Sequence, residues 1–484
     1  MLKKLRRVFS GKPEAGSAGV PAPVSNQPPM NDRLMDSSSS TRLRLDQARI
    51  VERDKHCISR KNISNAALKV LYTLGNEGYH AFLVGGGVRD LLLGNKPKDF
   101  DIATDATPEE IKRLFRSSRI IGRRFKIVHI RFGREIIEAT TFRAHHGPVD
   151  EGDEPEAGDF RKLDSAHSSS GMILRDNVYG NIDEDALRRD FTVNALYYTV
   201  NNFRLLDFST GFEDLENRLI RVLGDPAVRY KEDPVRMLRA IRFCAKLDFS
   251  MEENSRSCID QFAHLLQSVS PARLFDESLK LLAAGFAQPT FVLLKQYRVG
   301  EYLFPDTMKL LSRGETPENK LVQLALRNTD ERLAQDKSVT PAFLYAALLW
   351  PVLRDELQWH GPDSLPNLPE IQTAANTVIQ RQIEHVAIPR RFTIAMREIW
   401  ELQLRLQRRN KRSIESAFNH PRFRAAYDFL LLREESGEDL DQLGRWWTDF
   451  QNGDTKHKTE LTEAFARSRP KRRRRSRKKS GTGE

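Results

Sequence analysis

The chain has 484 residues, of which 39% are hydrophobic and 30% charged, and its mean hydropathy is −0.54. This length predicts about two to four domains, and the lack of an apolar run of spanning length argues against a transmembrane protein. Its three cysteines have no metal-ligand spacing and are too few for a disulfide framework. Together with the lack of a signal-peptide pattern, they favour a reducing cytoplasm.

The net charge of +12 is concentrated towards one end of the chain. Residues 467–479 contain ten Lys and Arg and no acid. The rest of the chain therefore has 68 of the 78 basic residues against 66 acidic ones and is almost neutral. Such a run is typical of a tail that binds polyanions by releasing counterions, and a solvated tail with no specific partner is an equal alternative. The basic N-terminal stretch Leu2–Phe9 also leaves weak contact with an anionic membrane surface open.

The elements in chain order predict a mixed head followed by helices. Residues 1–55 are rich in Pro, Ser and Gly, which predicts disorder. Strand and helix patterns alternate over 56–211, with expected strands at 81–84, 99–104, 126–132 and 135–142 and a helix opened by a capping box at 107–115. An acidic, Gly- and Ser-rich stretch at 144–171 is expected to form a loop.

Beyond residue 212 the pattern is helical almost throughout. We expect a helical segment at 212–285 for nucleotide and RNA binding, a helical arginine-rich body at 286–455 and a disordered basic tail at 456–484. The predicted fold class is therefore α+β, with a small mixed-sheet head followed by all-helical regions.

A glycine-rich turn follows the first buried strand. Gly85, Gly86 and Gly87 lead into a short helix that carries Arg89. Glycines let backbone N–H groups approach a phosphate, the helix N-terminus adds partial positive charge, and Arg89 can supply a further contact. The spacing matches neither a Walker A loop nor a Rossmann fingerprint. For the glycines alone, a tight turn without a ligand is an equal alternative.

Two aspartates stand at alternate positions in the next predicted strand. Side chains at i and i+2 share one face, so Asp99 and Asp101 lie side by side while Phe100 and Ile102 face the other way. Paired like charges are costly without a cation, and oxygen ligands suit Mg²⁺. We predict a magnesium site in which two ions activate a 3′-hydroxyl and stabilise leaving pyrophosphate. The alternative is a pair of surface or turn residues near Pro97.

Two further acids are candidates for the same site. Glu138 interrupts an otherwise apolar strand, which places it at an edge or beside a cation. Asp190 follows Arg188 and Arg189, and it either caps a short helix or reaches the nucleotide or metal region. The residues alone leave open which of the two acids completes the site.

A basic helix face is predicted after Pro234. This proline fits the first position of a helix, which makes Asp233 an ordinary N-cap. Asp233 and Arg236 are then neighbours that can hydrogen-bond a base edge. The basic side chains recur at spacings of three, three and four, at Arg236, Arg239, Arg242 and Lys246.

Together these motifs resemble the class II nucleotidyltransferases, which comprise tRNA CCA-adding enzymes and bacterial poly(A) polymerases. Four segments occur in the family order: Gly-Gly-x-Val-Arg-Asp with Asp-x-Asp, Glu-x-Thr-Thr-Phe-Arg, Arg-Arg-Asp-Phe-Thr-x-Asn-Ala, and Glu-Asp-Pro-x-Arg. The likeness covers residues 58–282 and is specific, because four motifs in order do not arise by chance. It implies a head with a small sheet flanked by helices, followed by a helical neck, body and tail.

The resemblance also implies roles for individual residues. Asp99 and Asp101 would hold the catalytic metals, and Glu138 or Asp190 would complete the acidic site. Asp233 and Arg236 would sit against the incoming base of ATP, the expected substrate. The residues expected to contact the nucleotide are Gly86, Gly87, Arg89, Asp90, Arg143, Asn194, Asp233, Arg236 and Arg239.

Two further features favour the poly(A) polymerase branch of this family. Residues 120–130 resemble the signature that separates this branch from the CCA-adding enzymes, and the opening at 56–59 is also similar. The C-terminal part resembles the arginine-rich region of the branch, and arginines with aromatics such as Trp446 and Trp447 suit single-stranded RNA. Ordinary helix packing is the favoured alternative for these two aromatics. The residues expected to bind RNA are Arg242, Arg390, Arg391, Arg408, Arg409, Arg472 and Arg473.

We therefore expect template-independent polyadenylation of RNA 3′ ends with ATP and release of pyrophosphate. We also expect a cytoplasmic monomer that promotes RNA processing and decay, with RNA-decay proteins as partners. The close alternative is a CCA-adding nucleotidyltransferase, which would use CTP as well. The alternative of another class is a non-catalytic RNA-binding protein with a decayed enzyme fold, and the intact Asp99 and Asp101 pair argues against it.

Overall fold

The computed structural model describes residues 48–122, 126–144, 165–167, 173–176, 179–359, 365–408 and 410–467. The predictions for Arg409, Arg472, Arg473 and most of the acidic stretch at 144–171 lie outside these residues, as does the centre of the signature at 120–130. Contacts divide the chain into a first unit, Met1–Arg236 with Leu247–Cys258, and a second unit, Met237–Lys246 with Ile259–Glu484. The predicted domain limits stay predictions.

The first unit is built on a mixed eight-stranded sheet. Its strands are β1 (Arg49–Val51), β2 (Ala81–Val84), β3 (Asp101–Thr104), β4 (Ser118–Ile121), β5 (Ile127–Phe132), β6 (Glu135–Thr141), β9 (Leu196–Tyr198) and β10 (Leu205–Asp207). The spatial order is β1-β10-β9-β2-β3-β6-β5-β4, and all neighbours pair antiparallel except β3 and β6, which are parallel. The mixed sheet confirms the expected head.

Two small sheets accompany it. The strands β7 (Ser165–His167) and β8 (Ile173–Asp176) pair antiparallel, and β11 (Leu219–Ile220) and β12 (Ser250–Met251) pair parallel. The strands β11 and β12 contradict the expectation that the chain is all helical after residue 212. Two residues bury too little apolar area to show a strand pattern in the sequence.

Short helices alternate with these strands in the first part of the chain. They are α1 (Asn65–Asn76), α2 (Gly86–Leu92), α3 (Pro108–Leu114), α4 (Ile182–Leu187), α5 (Gly211–Glu216), α6 (Pro226–Glu232), α7 (Val235–Leu247) and α8 (Glu253–Phe262). The capping box before α3 is present as predicted, with the Thr107 side chain and Glu110 bonding reciprocally to the backbone. A core of Phe82, Ala103, Phe142 and Tyr197 lies within this unit, so β2, β3 and β9 are fixed by buried aromatic contact.

The second unit is helical throughout the part that the structure describes, as expected. Its further helices are α9 (Pro271–Leu282), α10 (Ala287–Gln296), α11 (Gly300–Leu303), α12 (Pro305–Leu311), α13 (Pro317–Ala334), α14 (Pro341–Leu348), α15 (Trp350–Glu356), α16 (Leu368–His385), α17 (Arg390–Leu406), α18 (Lys411–Phe418), α19 (Phe423–Glu435), α20 (Leu443–Asn452) and α21 (Thr455–Arg467). No helix of the described residues is long and apolar enough to cross a membrane. Many of these helices begin with proline in the first turn, where its missing N–H costs nothing.

Two segments at the ends of the chain that were predicted to be disordered contain regular structure. Residues 49–51 form β1 at the edge of the sheet, and residues 455–467 form α21. The helix α21 is stabilised locally, because Asp454 accepts a hydrogen bond from the His457 N–H and Leu461 packs on the buried core around Trp447. Composition hid this helix, since the basic run that follows it dominates the average over the tail.

Candidate active site

The glycine turn approaches the predicted acidic pair directly. Gly85 joins β2 to α2 with φ of 68°, a left-handed conformation that favours glycine. A Cβ added at Gly85 would lie 3.5 Å from Arg189 Nη1 and 3.6 Å from Asp101 Oδ2, and one at Gly87 would lie 3.4 Å from the Asp99 carbonyl oxygen. The tight turn therefore also brings its backbone against charged groups.

Asp99 and Asp101 meet a third carboxylate across the sheet. The strand β3 begins at Asp101 rather than at Asp99, which lies exposed just before it. Phe100 and Ile102, expected to face away from the aspartates, are both buried. Asp101 is the register partner of Glu138 on the parallel strand β6. Partners in a parallel register present side chains on the same face, so the sheet sets Asp101 and Glu138 next to each other.

The electrostatics of Asp101 show the crowding of negative charge. Its pKa is raised from 3.8 to about 6 by burial first and then by Glu138, with a smaller contribution from Asp99, while Arg189 acts in the opposite direction. Glu138 also pairs with His129, whose Nε2 lies 3.2 Å from Glu138 Oε1 on the neighbouring strand β5. The sequence patterns did not point to His129 or Arg189 as site residues, although His129 contacts Glu138 and Arg189 acts on Asp101.

Asp190 is engaged in a different network. Its Oδ1 accepts from the Phe191 N–H at 2.9 Å and from Asn194 Nδ2 at 3.1 Å. The short helical turn at Thr192–Asn194 is capped by Phe191 without a side-chain bond, so Asp190 is not its N-cap. The structure brings Glu138, rather than Asp190, into register with Asp101, and the identity of the third ligand stays a prediction.

Arg89 connects the glycine turn to this second network. It is 2% exposed, donates from Nε and Nη2 to Asp90 Oδ1, and donates from Nη1 to Asn194 Oδ1 at 2.7 Å. Asp90, Arg89, Asn194 and Asp190 thus form one hydrogen-bonded chain behind the glycine turn. The burial of Arg89 favours a positioning role, and its predicted phosphate contact stays a prediction.

A buried ion-pair cluster holds Arg189 beside Asp101. Asp185 is buried and accepts from Arg189 Nη2 at 3.0 Å, from Arg188 Nε at 3.1 Å and from the Tyr197 hydroxyl at 2.5 Å. Burial by itself would raise the pKa of Asp185, but the two arginines and Tyr197 outweigh it and lower the pKa to about 2. The backbone N–H of Arg143 also donates to Asp185, which ties the end of the β6 segment to the cluster.

The residues expected at the base lie at the junction of α6 and α7, with Asp233 between the two helices and Arg236 in the first turn of α7. Asp233 Oδ1 accepts from the Val235 N–H at 3.3 Å, which agrees with the predicted cap at the start of α7. Arg236 is 8% exposed, and its Nη1 donates to Glu232 Oε2 at 2.8 Å and to the Arg229 carbonyl at 2.7 Å. The contact of Asp233 and Arg236 with a base stays a prediction.

The remaining predicted residues lie in the second unit. Arg239 and Arg242 on α7 stack against Phe243 at 5.7 and 5.1 Å. Arg390 and Arg391 are exposed in the first turn of α17, and Arg408 is exposed just beyond its end. Exposed arginines of this kind are accessible to phosphates, and their contact with RNA stays a prediction.

The two adjacent tryptophans belong to a helical core. Trp447 is fully buried and donates from Nε1 to the Leu406 carbonyl, while Trp446 packs edge-on against it at 5.0 Å. The favoured alternative of helix packing is therefore correct for Trp447, because no base can reach a ring without exposed surface.

The carboxylates fit a magnesium ion by their chemistry. Among the residues described here, no group of three or more His, Cys, Asp or Glu stands close enough to hold a metal as arranged. Burial is the first cause of the raised pKa of Asp101, and the charges of Glu138 and Asp99 add to it, so a bound cation would relieve the repulsion among these carboxylates. Oxygen donors from Asp99, Asp101 and Glu138 are the ligands that Mg²⁺ prefers.

Three family models match the chain in order. The Poly A polymerase head domain matches residues 81–221, the probable RNA and SrmB-binding site of polymerase A matches 248–311, and the polymerase A arginine-rich C-terminus matches 363–480.

Relatives distinguish the two branches of the resemblance. Poly(A) polymerase I of Escherichia coli O6:H1 is 45% identical over 90% of this chain and 93% of its own length. The CCA-adding enzyme of Lactobacillus helveticus is 37% identical over only 49% of this chain and 54% of its own length. A solved CCA-adding enzyme with CTP shares the fold, with a TM-score of 0.55 at 19% identity over 86% of this chain and 95% of that one. Since the likeness to poly(A) polymerase I runs through the head and the helical regions alike, the chain belongs to the bacterial poly(A) polymerase I family of nucleotidyltransferase enzymes.

Proposed function

We propose that this enzyme adds AMP from ATP, without a template, to the 3′ end of RNA. The observation that carries the proposal is the placement of Asp101 and Glu138 as register partners beside the glycine turn. In the reaction, the RNA 3′-oxygen bonds to the α-phosphorus of ATP and loses its proton. The bond from the α-phosphorus to the bridging oxygen breaks, and pyrophosphate leaves.

Asp99, Asp101 and Glu138 would hold Mg²⁺, with two ions as the proposed number. When bound, magnesium would neutralise charge on the phosphates and favour the ionised 3′-hydroxyl. Backbone N–H groups of the turn around Gly86 would bind the triphosphate. Arg189 places a fixed positive charge beside Asp101, which helps to keep this carboxylate ionised.

The other groups of the first unit would orient the nucleotide. Asp233 and Arg236 would contact the adenine, in accordance with their position at the junction of α6 and α7. The chain of hydrogen bonds from Asp90 to Asp190 would keep the turn and the neighbouring segment in one arrangement. Preorganised groups of this kind lower the barrier because they need no rearrangement during the reaction.

RNA would be bound mainly by arginines of the second unit and by the basic run after α21. The exposed Arg390, Arg391 and Arg408 offer charge for phosphates, and a single strand suits such a surface. We propose a cytoplasmic monomer that acts in RNA processing and decay beside RNA-decay proteins. The three cysteines are free thiols, in agreement with a reducing compartment.

A second candidate is a CCA-adding activity, favoured by the match of the CCA-adding enzyme to about half of the chain. The test uses purified protein, Mg²⁺, an unstructured RNA and each nucleoside triphosphate supplied separately. Long tails from ATP alone, lost in Asp101→Ala, are expected. Addition of a few residues that requires CTP and a tRNA lacking its CCA end would favour the second candidate, and no addition by the wild type would overturn both in favour of RNA binding.

A further inference from the structure

Arg229 is a buried arginine whose hydrogen bonds hold one short backbone segment. It lies on α6, is 4% exposed, and donates from Nη2 to the carbonyl oxygens of Arg188 at 2.5 Å and Arg189 at 2.7 Å. These are the two residues immediately before Asp190. Burial of a guanidinium is costly unless its donors are used, and the Nε of Arg229 is buried without a hydrogen-bond partner in the described part of the chain. The bonds made by Nη1 and Nη2 therefore fix the guanidinium, and those of Nη2 hold the backbone at Arg188 and Arg189.

The same guanidinium is joined to the segment expected to face the base. Its Nη1 donates to Glu232 Oε2 at 2.6 Å, and this oxygen also accepts from Arg236 Nη1 at 2.8 Å. Arg236 Nη1 donates in turn to the Arg229 carbonyl at 2.7 Å. Arg229, Glu232 and Arg236 therefore form a closed hydrogen-bonded network at the end of α6, next to Asp233.

The backbone held by Arg229 leads to both parts of what we call the catalytic edge. One part is Arg189 beside Asp101 and the turn at Gly85, and the other is the hydrogen-bonded chain from Asp190 to Arg89. The Arg189 side chain runs to Asp185 and Tyr197 and places its charge beside Asp101 and the turn at Gly85. Asp190 continues to Asn194 and from there to Arg89. A shift of the two carbonyls would consequently move Arg189 and Asp190 together.

We propose that Arg229 is a positioning residue that couples the base-recognition segment of Glu232, Asp233 and Arg236 to the catalytic edge, so that discrimination of ATP from CTP depends on it. This inference rests on the proposed polyadenylation activity. A lysine cannot replace it, because one ammonium cannot serve two carbonyls and a carboxylate with the fixed fork of a guanidinium. Misplacement of reacting groups by 1 Å costs about 100-fold in rate. A nucleotide whose base is held by Asp233 and Arg236 depends on this alignment, whereas a nucleotide whose base makes fewer contacts there has less to lose.

The test compares Arg229→Lys with the wild type by measuring kcat and KM for ATP and for CTP on the same RNA. The ratio of kcat/KM for ATP to that for CTP is expected to fall by about tenfold or more. A loss of folded enzyme lowers the apparent kcat/KM for ATP and for CTP by the same factor and leaves their ratio unchanged. An unchanged ratio therefore overturns the proposal, whether or not the rates fall.

Two further variants keep the result interpretable. Glu232→Gln removes the shared acceptor and is expected to lower the same ratio, which provides a second route if Arg229→Lys does not fold. Arg204→Lys is the matched control, because Arg204 pairs with Glu52 beside the paired strands β1 and β10 at the edge of the sheet and should leave the ratio at its wild-type value. Failure of the wild type to extend RNA with ATP would refute the proposed function itself, and it would be seen before any variant is compared.

Discussion

Asp101 and Glu138 are register partners on the parallel strands β3 and β6, far apart in sequence but side by side on one face of the sheet. Burial and then the charge of Glu138 raise the pKa of Asp101 to about 6. Asp190, the other acid of the family motifs, instead accepts hydrogen bonds from Phe191 and Asn194. This difference makes the third carboxylate a question that substitution can answer.

Glu138→Gln should therefore raise the Mg²⁺ concentration needed for half-maximal rate more than Asp190→Asn does. Loss of one carboxylate from the site is expected to lower kcat by about 100-fold and to raise the Mg²⁺ concentration needed for half-maximal rate. A magnesium titration of RNA extension by each variant measures this directly. Glu135→Gln, an exposed position on the same strand, is the matched control, and a larger metal effect in Asp190→Asn would assign the third position to Asp190.

The stability of the first unit should depend on pH through Asp185. Folding lowers the pKa of this carboxyl from its ordinary value of 3.8 to about 2, so its ionised form is favoured by the folded protein. The contribution is fully present above pH ~4 and is lost as the pH falls towards 2, with a magnitude of about 2 kcal/mol.

Urea unfolding of the wild type and Asp185→Asn from pH 7 to pH 2 measures this contribution. The difference in free energy of unfolding between them should be constant above pH ~4 and then shrink as the wild type becomes protonated. A difference that stays constant down to pH 2 would show that Asp185 is not held ionised by its arginines.

A buried ion pair in the second unit should matter more than an exposed one nearby. Arg433 is fully buried and donates to both oxygens of Glu438 at 2.7 and 2.8 Å, and Arg354 pairs with the same carboxylate. Glu438→Gln leaves the buried Arg433 guanidinium without its carboxylate counterion, whereas Arg354 keeps its pair with Glu318, so we expect a loss of about 3–5 kcal/mol in unfolding free energy.

The matched control for that substitution is Glu435→Gln, which removes an exposed pair with Arg327 and should cost less than about 1 kcal/mol. Thermal or denaturant unfolding of both variants gives the comparison. Equal losses in the two would mean that the buried pair is compensated by water or by the surrounding Trp350 and Trp359 rings.

The basic run after α21 should govern the salt dependence of RNA binding. Deletion of residues 468–484 removes nine Lys and Arg, and each lost phosphate contact is expected to make the slope of log affinity against log salt shallower by about 0.7 for a single strand. Fluorescence anisotropy with an unstructured RNA at several salt concentrations measures the slope. A chain of equal length with these residues changed to Gln separates charge from length, and an unchanged slope would show that the tail does not contact the RNA.

Patterns along the chain account for the parts of this protein that depend on neighbouring residues. The mixed head and the helical remainder follow from periodicity, and the capping box at Thr107 follows from local hydrogen bonding. Strand geometry did not settle the shared face of Asp99 and Asp101, because β3 begins only at Asp101. The order of the motifs identified the family, which the relatives confirm. Local composition misled at the tail, where the basic run concealed α21.

Contacts between side chains that are distant in sequence follow from the tertiary fold. The pairing of β3 with β6 set Glu138 beside Asp101, the fold closed Asp185, Arg189 and Tyr197 into one buried cluster, and helix packing buried Trp447. Such contacts depend on strand register and burial, which are settled by the whole chain rather than by spacing along it. For the same reason, a sequence pattern shows that Arg89 and Arg229 are basic, whereas the fold shows that both are buried and hold other groups in place.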